Sequence, residues 1–425
     1  MTAPGTGQDP EKEPEIAAKS AGAAEFNFAA IERARERLRG ILTPTPLARS
    51  ATFDRLLDAK VYLKPENLQK TGSFKIRGAY NRIVTLDPQD TARGLITASA
   101  GNHGQAIAYA ATRAGARATI VMPQSAAIAK IDATRGYGQQ VMLAGADYQA
   151  AREAAAALRA STGATFIDAY DDAEVIAGQG TIGLEIADEV TPDVVMVPVG
   201  GGGLIAGIVA ALAVRAPQTE VIGVEASGSP QLSASLAAGA AASIGRQVDT
   251  IADGLATGRI GKLPFALIRE RVAQVVAVDD FEIGEAVLLL LERLKLLTEG
   301  AGAAALAGAL KLGRELRGKC VVIVLSGGNI DINLLDRIIG YGLVKAGRRA
   351  WLQIDLHDRP GELQKLLALI GESGANVRAV EHDRDHSDIA IGGARVVLEL
   401  ETRGPDHLRD VGQRLADHGY QVAAR

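Results

Sequence analysis

The sequence predicts an α/β protein with open, mostly parallel sheets, followed by a smaller module with a different pattern. From Phe28 onward, short apolar runs rich in β-branched residues alternate with Ala-rich helical segments, and several runs end in Gly, Ser or Pro just before a helix. Nearly continuous apolar runs are typical of strands covered by helices on both faces. The alternation stops near Gly347, where the second module begins.

Composition limits the class of protein. A chain of 425 residues is long enough for two or three domains with full cores. Its one cysteine, Cys320, cannot form an internal disulfide. The formal net charge is −4 without a long Lys/Arg run, and charges and glycines interrupt the apolar stretches well before the ~20 residues of a membrane span. We therefore expect a cytoplasmic protein with no nucleic-acid partner and no membrane partner.

The elements follow from the apolar runs in chain order. Residues 1–25 lack apolar periodicity, and we predict a disordered tail there. In such sheets, ligands bind beyond the carboxyl ends of the strands, so the loops after the strands are the places to search for a site. The predicted strands of the large part are 61–63, 95–98, 118–122, 194–199, 221–225, 275–278 and 321–325.

Four consecutive glycines, Gly200 to Gly203, follow the strand 194–199 and precede a helical pattern. Without side chains, the backbone N–H groups at a helix N-terminus form a cradle that suits phosphate. The same stretch, continued to Ala206, also satisfies the G-x-G-x-x-G/A fingerprint, and Glu225 ends the next strand where a ribose-binding carboxylate would lie. The glycine stretch alone is therefore compatible with an NAD-dependent enzyme as well as with another phosphate-bearing ligand.

Three further loops favour a different cofactor. Lys75 lies between apolar neighbours, and a desolvated lysine has a lowered pKa that makes the nucleophilic neutral amine accessible. Asn102 follows the strand 95–98 and offers a donor and an acceptor to a ring substituent, whereas Ser326 could hydrogen-bond an uncharged ring nitrogen. Each residue alone could be an ordinary surface or turn residue. Together with the phosphate cradle, they match the requirements of pyridoxal phosphate.

Six sequence motifs, spread over roughly residues 28–345, occur in the order expected for a known enzyme family. The chain resembles the threonine dehydratase (threonine ammonia-lyase) branch of the tryptophan synthase β-like, fold type II pyridoxal phosphate enzymes. This family uses the glycine loop for the cofactor phosphate, which disfavours the NAD interpretation. The motifs are Lys64-Pro65-Glu66-Asn67, Gly72-Ser73-Phe74-Lys75-Ile76-Arg77-Gly78-Ala79, Ser99-Ala100-Gly101-Asn102-His103, Gly200 to Leu204, Thr298-Glu299-Gly300-Ala301-Gly302-Ala303 and Ser326-Gly327-Gly328-Asn329.

The resemblance implies a role for each matching residue. Lys75 would bond covalently to the cofactor, Phe74 would pack beside it, Asn102 would bond its ring hydroxyl, and Ser326 would face the pyridine nitrogen. The cofactor phosphate would be held by Gly200, Gly201, Gly202, Gly203 and Leu204. The substrate carboxylate would be held by Ser99, Ala100, Gly101, Asn102 and His103.

The implied fold is a two-lobed catalytic unit over residues 26–346, with a small lobe of about 66–168 inserted in the large lobe. The implied reaction is β-elimination of a β-hydroxy amino acid, with the freed Lys75 amine removing the Cα proton. L-Threonine would give 2-oxobutanoate and ammonia, and L-serine would give pyruvate.

Two enzymatic alternatives on the same scaffold are a serine racemase and a 3-hydroxyaspartate dehydratase. Ala100 argues against the racemase, because similar serine racemases have a serine there that acts as an acid on the opposite face. Gln231 occupies the position where racemase-like relatives have a second metal-binding carboxylate, so we leave a metal site unassigned. A non-enzymatic amino-acid sensor with a degenerate core is disfavoured by the intact motifs.

Residues 347–425 predict a ferredoxin-like βαββαβ module, with Asp358 as the cap of its first helix. This module resembles the ACT domain, a regulatory unit that commonly binds amino acids between paired copies. The resemblance implies an amino-acid effector near Gly361 and Asn376, and a homodimer or homotetramer. Feedback by isoleucine or valine is a hypothesis motivated by the pairing of this module with a threonine-deaminating core.

Overall fold

The computed structural model describes residues 26–245, 248–385 and 389–424, so the predicted tail over residues 1–25 lies outside the described residues. The chain divides into two compact units between Ile330 and Asp331. The boundary expected at residue 346/347 lies after the helix Ile332–Lys345, whereas the two units divide before it. The predicted α/β class is confirmed.

The strands of the N-terminal unit begin and end close to the predicted apolar runs. Three short ones, β1, β5 and β6, were not predicted. The strands are β1 (Ala48–Arg49), β2 (Lys60–Pro65), β3 (Leu95–Ala98), β4 (Ala118–Met122), β5 (Gln140–Leu143), β6 (Thr165–Phe166), β7 (Val194–Pro198), β8 (Glu220–Ala226), β9 (Val272–Val278) and β10 (Cys320–Leu325).

These strands form two open sheets. The larger has the order β1-β2-β10-β7-β8-β9, in which only the β1/β2 pair is antiparallel, and the smaller has the all-parallel order β5-β4-β3-β6. Every residue of β3 and β7 is buried, as expected for strands covered on both faces. One apolar core packs on the large sheet around Val197 and Ile205, and another packs on the small sheet around Ile107 and Ile120.

Helices connect the strands and cover both sheets. Among the described residues, no helix combines the length and apolar character that a membrane crossing requires. The helices of the N-terminal unit are α1 (Phe28–Leu38), α2 (Ala51–Leu57), α3 (Lys75–Val84), α4 (Pro88–Ala92), α5 (Asn102–Arg113), α6 (Ile128–Arg135), α7 (Tyr148–Thr162), α8 (Ala173–Glu189), α9 (Gly203–Arg215), α10 (Gln231–Ala238), α11 (Lys262–Ile268), α12 (Asp280–Leu289) and α13 (Gly300–Leu312).

Glycines allow three of these helices to touch backbone to backbone. A Cβ atom at Gly178 of α8 would lie 2.6 Å from the carbonyl oxygen of Arg77 and 2.6 Å from the Cα of Gly78, both on α3. On the other side of α8, a Cβ atom at Gly207 of α9 would lie 2.5 Å from the backbone nitrogen of Gly180. A methyl group at either contact must push the helices apart, because packed interiors leave no spare volume. Part of the high glycine content therefore serves helix packing.

A buried charge network fixes α3 next to α8. Arg77 of α3 donates to both carboxylate oxygens of Glu66, at 2.8 Å each, and to those of Glu185 on α8 at 2.6 and 2.9 Å. Lys64 lies 2.7 Å from Glu185 as well. These carboxylates raise the pKa of Arg77 further above its ordinary value despite the opposing effect of burial, so its charge is permanent. Arg77 comes two residues after Lys75, so this network also fixes the start of α3.

The C-terminal unit begins with the helix α14 (Ile332–Lys345) and continues with an antiparallel sheet of order β12-β13-β11-β14. This order, with two helices after the first and third strands, is that of the predicted ferredoxin-like module, which is confirmed. Inward residues such as Ile354 and Val396 alternate with outward ones, so one face carries the core. The elements are β11 (Arg349–His357), α15 (Glu362–Glu372), β12 (Asn376–Asp383), β13 (Gly393–Glu401), α16 (Pro405–Asp417) and β14 (Val422–Ala424).

The predicted cap of α15 is wrong. The N-cap residue is Gly361, which has no side chain to cap with, and Asp358 instead pairs with Arg384 at 2.9 Å. The chain makes a turn through Pro360 before the helix begins at Glu362, which places Asp358 too far upstream to reach the first helical N–H groups.

Replacing Gly178 with alanine should destabilise the N-terminal unit by roughly 1–3 kcal/mol, because the overpacking outweighs the gain in helix propensity. Urea unfolding followed by circular dichroism measures this change. Gly371→Ala on α15 is the matched control, since nothing lies within 4 Å of a Cβ atom there, and it should be neutral or slightly stabilising. An unchanged unfolding midpoint for Gly178→Ala would contradict the backbone contact.

Candidate active site

One cavity of about 820 Å³ in the N-terminal unit lies beyond the carboxyl ends of strands from both sheets. Its volume is within the range of small-molecule sites. The predicted residues Phe74, Lys75, Ser99, Ala100, Gly101, Asn102, His103, Gly200, Gly201, Gly202, Gly203, Leu204 and Ser326 all line it. The structure therefore brings together residues that are up to 252 positions apart, counted from Phe74 to Ser326.

Lys75 is the first residue of α3, and its partly buried side chain lines this cavity. Its Nζ donates to the carbonyl oxygen of Ala169 at 3.0 Å and lies 5.2 Å from the centre of the Phe74 ring. Enclosure lowers the pKa of Lys75 to about 8, against the opposing charges of Asp168 and Glu299. A substantial fraction of the amine is therefore neutral near physiological pH, as a nucleophile or base requires.

The backbone before Lys75 is held by the loop after β10. The backbone N–H of Phe74 donates to the carbonyl of Ser326 at 3.1 Å, and Ser73 forms an antiparallel bridge with Gly327. Ser326 also donates its hydroxyl to the carbonyl oxygen of Ala301 at 3.1 Å. A hydroxyl can rotate, so the Ser326 proton is available to a ring nitrogen as well. This pairing places Lys75 and Ser326 at the same cavity.

The glycine loop connects β7 to α9. Gly202 is the N-cap residue of α9 with φ of +90°, a conformation that favours glycine. A Cβ atom at Gly200 would lie 2.8 Å from the carbonyl oxygen of Gly254, and one at Gly201 would lie 2.2 Å from the ring of Tyr170. Only glycine fits at these two positions. The loop therefore presents bare N–H groups at a helix N-terminus, which suits a phosphate.

Tyr170 is a cavity residue that no sequence motif predicted. Its ring packs on Gly201, and its hydroxyl accepts a hydrogen bond from Nε of Arg259 at 3.3 Å. Burial raises the pKa of Tyr170, so the phenol stays protonated near neutral pH. Asp168 accepts from the backbone N–H groups of Tyr170 and Asp171, at 2.9 and 2.8 Å, and so fixes this turn against the glycine loop.

Asn102, at the start of α5, belongs to a polar chain of side chains. Its Nδ2 donates to Glu299 at 2.5 Å, and its Oδ1 accepts from Asn329 at 2.6 Å. Glu299 and Asn329 both lie in the family motifs, but the sequence did not predict a role for either of them. Enclosure raises the pKa of Glu299 to about 7, although the hydrogen bond from Asn102 opposes the shift.

His103 follows Asn102 and is buried against the small sheet. Its Nε2 lies 3.1 Å from the carbonyl oxygen of Ile167. Burial and the nearby charge of Lys75 lower the pKa of His103 to about 4, so the ring is neutral at physiological pH. A neutral ring must donate its Nε2 proton to the carbonyl, which leaves Nδ1 as its acceptor.

Glu225, which could have bound a ribose, and Gln231, at the metal-binding position of racemase-like relatives, both form hydrogen bonds within the protein. Glu225 accepts from the backbone N–H groups of Leu232 and Ser233, at 2.9 and 3.3 Å, and so holds the start of α10 instead of facing a ribose. Gln231 donates to the carbonyl oxygens of Val199, Gly200 and Leu255 at 3.0 to 3.2 Å. These contacts tie the start of α10 to the glycine loop.

Outside the cavity, the two residues predicted to contact an effector lie in the C-terminal unit. Gly361 is exposed, with φ of +90°, and nothing lies within 4 Å of a Cβ atom there. Asn376 begins β12 and donates to Glu401 at 3.1 Å. Within the described ranges, no group of three or more His, Cys, Asp or Glu residues is arranged to hold a metal ion.

The cavity has the donor set that pyridoxal phosphate requires. The bare N–H groups of Gly200 to Gly203 suit its phosphate, the amine of Lys75 suits its aldehyde, and the hydroxyl of Ser326 suits its ring nitrogen. Side chains at Gly200 and Gly201 would clash within the protein, so the phosphate cradle is a built feature of the loop. The residues present therefore fit the cofactor.

Comparison with known proteins agrees with this chemistry. The family model described as "Pyridoxal-phosphate dependent enzyme" matches residues 38–327. The chain is 47% identical over 395 residues to L-threonine ammonia-lyase of Thermotoga maritima, covering 92% of this chain and 98% of that protein. Processed threonine deaminase isoform 2 of Solanum lycopersicum superposes with a TM-score of 0.71 at 33% identity, covering 80% of this chain and 90% of that one.

Maize serine racemase is also similar, with a TM-score of 0.70, 33% identity, and coverage of 75% of this chain and 98% of that one. The shared scaffold therefore includes both dehydratases and racemases. The family model spans more than half of the chain, and five of the six motifs contribute residues to one cavity, the exception being Lys64-Pro65-Glu66-Asn67. The chain belongs to the family of pyridoxal-phosphate dependent enzymes.

Proposed function

We propose that the protein is a threonine ammonia-lyase that converts L-threonine to 2-oxobutanoate and ammonia by β-elimination, and L-serine to pyruvate. The observation that carries this proposal is the enclosed amine of Lys75 beside the phosphate cradle and Ser326. The near full-length similarity to the Thermotoga maritima L-threonine ammonia-lyase supports threonine as the substrate.

The roles of the chain's own groups follow from their positions. Bound pyridoxal phosphate supplies the electron sink that acidifies the substrate Cα proton. Lys75 is the group that accepts this proton, because a pKa of about 8 leaves part of its amine neutral at physiological pH. The N–H groups of Asn102 and His103 at the start of α5 are suited to hold the substrate carboxylate, whereas that of Gly101 donates to the Ser99 hydroxyl at 3.2 Å. His103 cannot serve as a proton donor at neutral pH, because its ring is already neutral and its Nε2 proton is engaged.

Elimination is favoured over racemisation by one residue. In the similar serine racemases, the residue at this position supplies the acid on the face opposite the lysine, and Ala100, which lines the cavity, has no proton to give. The uncharged hydroxyl of Ser326 would leave the ring nitrogen of bound pyridoxal phosphate unprotonated, which would make the cofactor a weaker electron sink and favour prompt loss of the β-hydroxyl. Serine racemase and 3-hydroxyaspartate dehydratase remain the alternative activities.

The experiment that tests the function is 2-oxo acid and ammonia release from L-threonine, L-serine and 3-hydroxyaspartate by the purified protein with pyridoxal phosphate. The proposal requires the highest kcat/KM for threonine. Preference for 3-hydroxyaspartate, or racemisation of serine faster than ammonia release from threonine, would assign one of the alternatives.

Regulation and assembly form a second part of the proposal. The ACT-like fold of the C-terminal unit, with the exposed helix start at Gly361, supports an amino-acid effector and a paired assembly. Isoleucine or valine should change the threonine saturation curve, and light scattering should give a dimer or tetramer. Identical threonine kinetics across both titrations would contradict the effector proposal. A cytoplasmic location is also proposed, in line with the single cysteine.

Lys75→Ala should abolish the yellow colour of the protein with bound cofactor and lower kcat at least about 10³-fold, because the covalent link and the base are lost together. Absorption spectra and steady-state kinetics measure both effects. Lys70→Ala, at an exposed lysine five residues earlier, should retain colour and activity. Equal effects of the two substitutions would contradict the assignment of Lys75.

Ala100→Ser should raise the ratio of serine racemisation to serine elimination by about tenfold or more, because it introduces an acid at the required position. Chiral chromatography of serine together with a pyruvate assay gives this ratio. Ala100→Gly changes the volume without adding a hydroxyl and is the matched control. The idea fails if the glycine variant shifts the ratio as much as the serine variant.

A further inference from the structure

Glu299 is an acidic residue in the cavity that the proposed reaction does not use. It is the N-cap residue of α13, a position where a short polar side chain can accept a hydrogen bond from the first N–H groups of the helix. Glu299 makes no such bond, and its carboxyl reaches across the cavity to Asn102 instead. The carboxyl of Glu299 is thus engaged by a cavity residue and not by its own helix.

The hydrogen bonds around Asn102 fix the orientation of its amide. Asn329 donates from Nδ2 to the backbone carbonyl of Thr71 at 2.8 Å, and a carbonyl can only accept. The same Nδ2 therefore donates to Oδ1 of Asn102 at 2.6 Å. The amide nitrogen Nδ2 of Asn102 must then face Glu299, whose Oε1 accepts a hydrogen bond from it at 2.5 Å. The amide of Asn102 is thus held from both ends.

The backbone makes room for this pair. A Cβ atom at Gly327 would lie 2.3 Å from Oε1 of Glu299 and 3.1 Å from Nδ2 of Asn102. Any other residue at Gly327 would displace the carboxyl from the amide. The contact is therefore built into the loop that also carries Ser326.

The charges around Glu299 make its ionisation depend on pH near neutrality. Enclosure raises its pKa to about 7, whereas Lys130 and Lys75 lower it and Asp253 raises it by smaller amounts. Lys130 itself pairs with Asp253 at 3.1 Å, which weakens its effect on Glu299. Both states of the carboxyl are consequently populated under physiological conditions.

We propose that Glu299 is a positioning residue that fixes the amide of Asn102 toward the cofactor ring and holds it more firmly when ionised than when protonated. A hydrogen bond to an ionised acceptor is roughly twice as strong as one to a neutral acceptor. The inference rests on the proposed function only in taking Asn102 as the contact of the cofactor ring. It does not depend on which amino acid is the substrate.

The test measures binding of pyridoxine 5′-phosphate to the apoprotein by fluorescence titration. This analogue has the ring hydroxyl and the phosphate but no aldehyde, so the titration of Lys75 does not enter through a covalent bond. Glu299→Gln keeps an acceptor oxygen but removes the charge. The ratio of its Kd to the wild-type Kd should rise from about one at pH 6 to roughly tenfold at pH 8.5.

Glu189→Gln is the matched control, because Glu189 is an exposed carboxylate at the end of α8. Its Kd ratio should stay near one at every pH. A ratio for Glu299→Gln that does not change with pH, or that changes equally for Glu189→Gln, would overturn the proposal. Failure of the protein to act on threonine would leave this binding result unaffected, so the two failures can be told apart.

A double-mutant cycle tests whether Glu299 acts through Asn102. Asn329→Ala removes the other contact of the same amide, so its effect on Kd at pH 8.5 and that of Glu299→Gln should be non-additive. Additive effects would show that the two residues act independently and would contradict the positioning role.

Thermal unfolding of the apoproteins verifies that the variant folds and that Glu299 titrates. The pKa of Glu299 is raised from about 4.5 in the unfolded chain to about 7 in the folded protein. The contribution of its protonated carboxyl to folding stability is therefore fully present below about pH 4.5 and is lost as the pH rises through about 7. The Tm of Glu299→Gln minus that of the wild type should therefore become more positive between pH 5 and pH 8.5. A difference that is constant with pH would contradict a titrating Glu299.

Discussion

Close approach of backbone to backbone is the constraint on which the site depends. At Gly178 and Gly207 it sets the separation of three helices, one of which begins with Lys75. At Gly302 it brings α13 against the loop after β10, since a Cβ atom there would lie 2.0 Å from the carbonyl oxygen of Gly327. Each contact excludes a methyl group, and together they place loops from distant parts of the chain around one cavity. The abundance of glycine is thus a property of the site as well as of the turns.

The chemistry of the cavity follows from this enclosure. Removal of water lowers the pKa of Lys75 and raises that of Glu299, so a base and an acid both titrate close to neutrality within one cavity. The buried ion pairs of Arg77 fix the helix that carries Lys75 at the same time. Pairs of titratable groups whose pKa values are shifted by their surroundings are typical of active sites. Position and reactivity of the lysine therefore have a common cause.

Much of the fold and of the cofactor site could be predicted from the sequence. The buried strands are predictable because apolar runs such as Leu95–Ala98 leave a clear pattern, whereas the edge strand Gln140–Leu143 has two exposed and two partly exposed residues and leaves no such pattern. Lys75, the glycine loop and Ser326 stand in local motifs. Tyr170 and the cap at Gly361 could not be predicted, because the first depends on a contact with Gly201 across the cavity and the second on the path of a turn.

The central claim is that the enclosed amine of Lys75 is the attachment point of the cofactor. Borohydride reduction of the protein loaded with pyridoxal phosphate, followed by peptide mass spectrometry, tests it most directly. The pyridoxyl phosphate mass should be added to the peptide containing Lys75, at one equivalent per chain. Labelling of a different lysine, or no stable labelling at all, would contradict it.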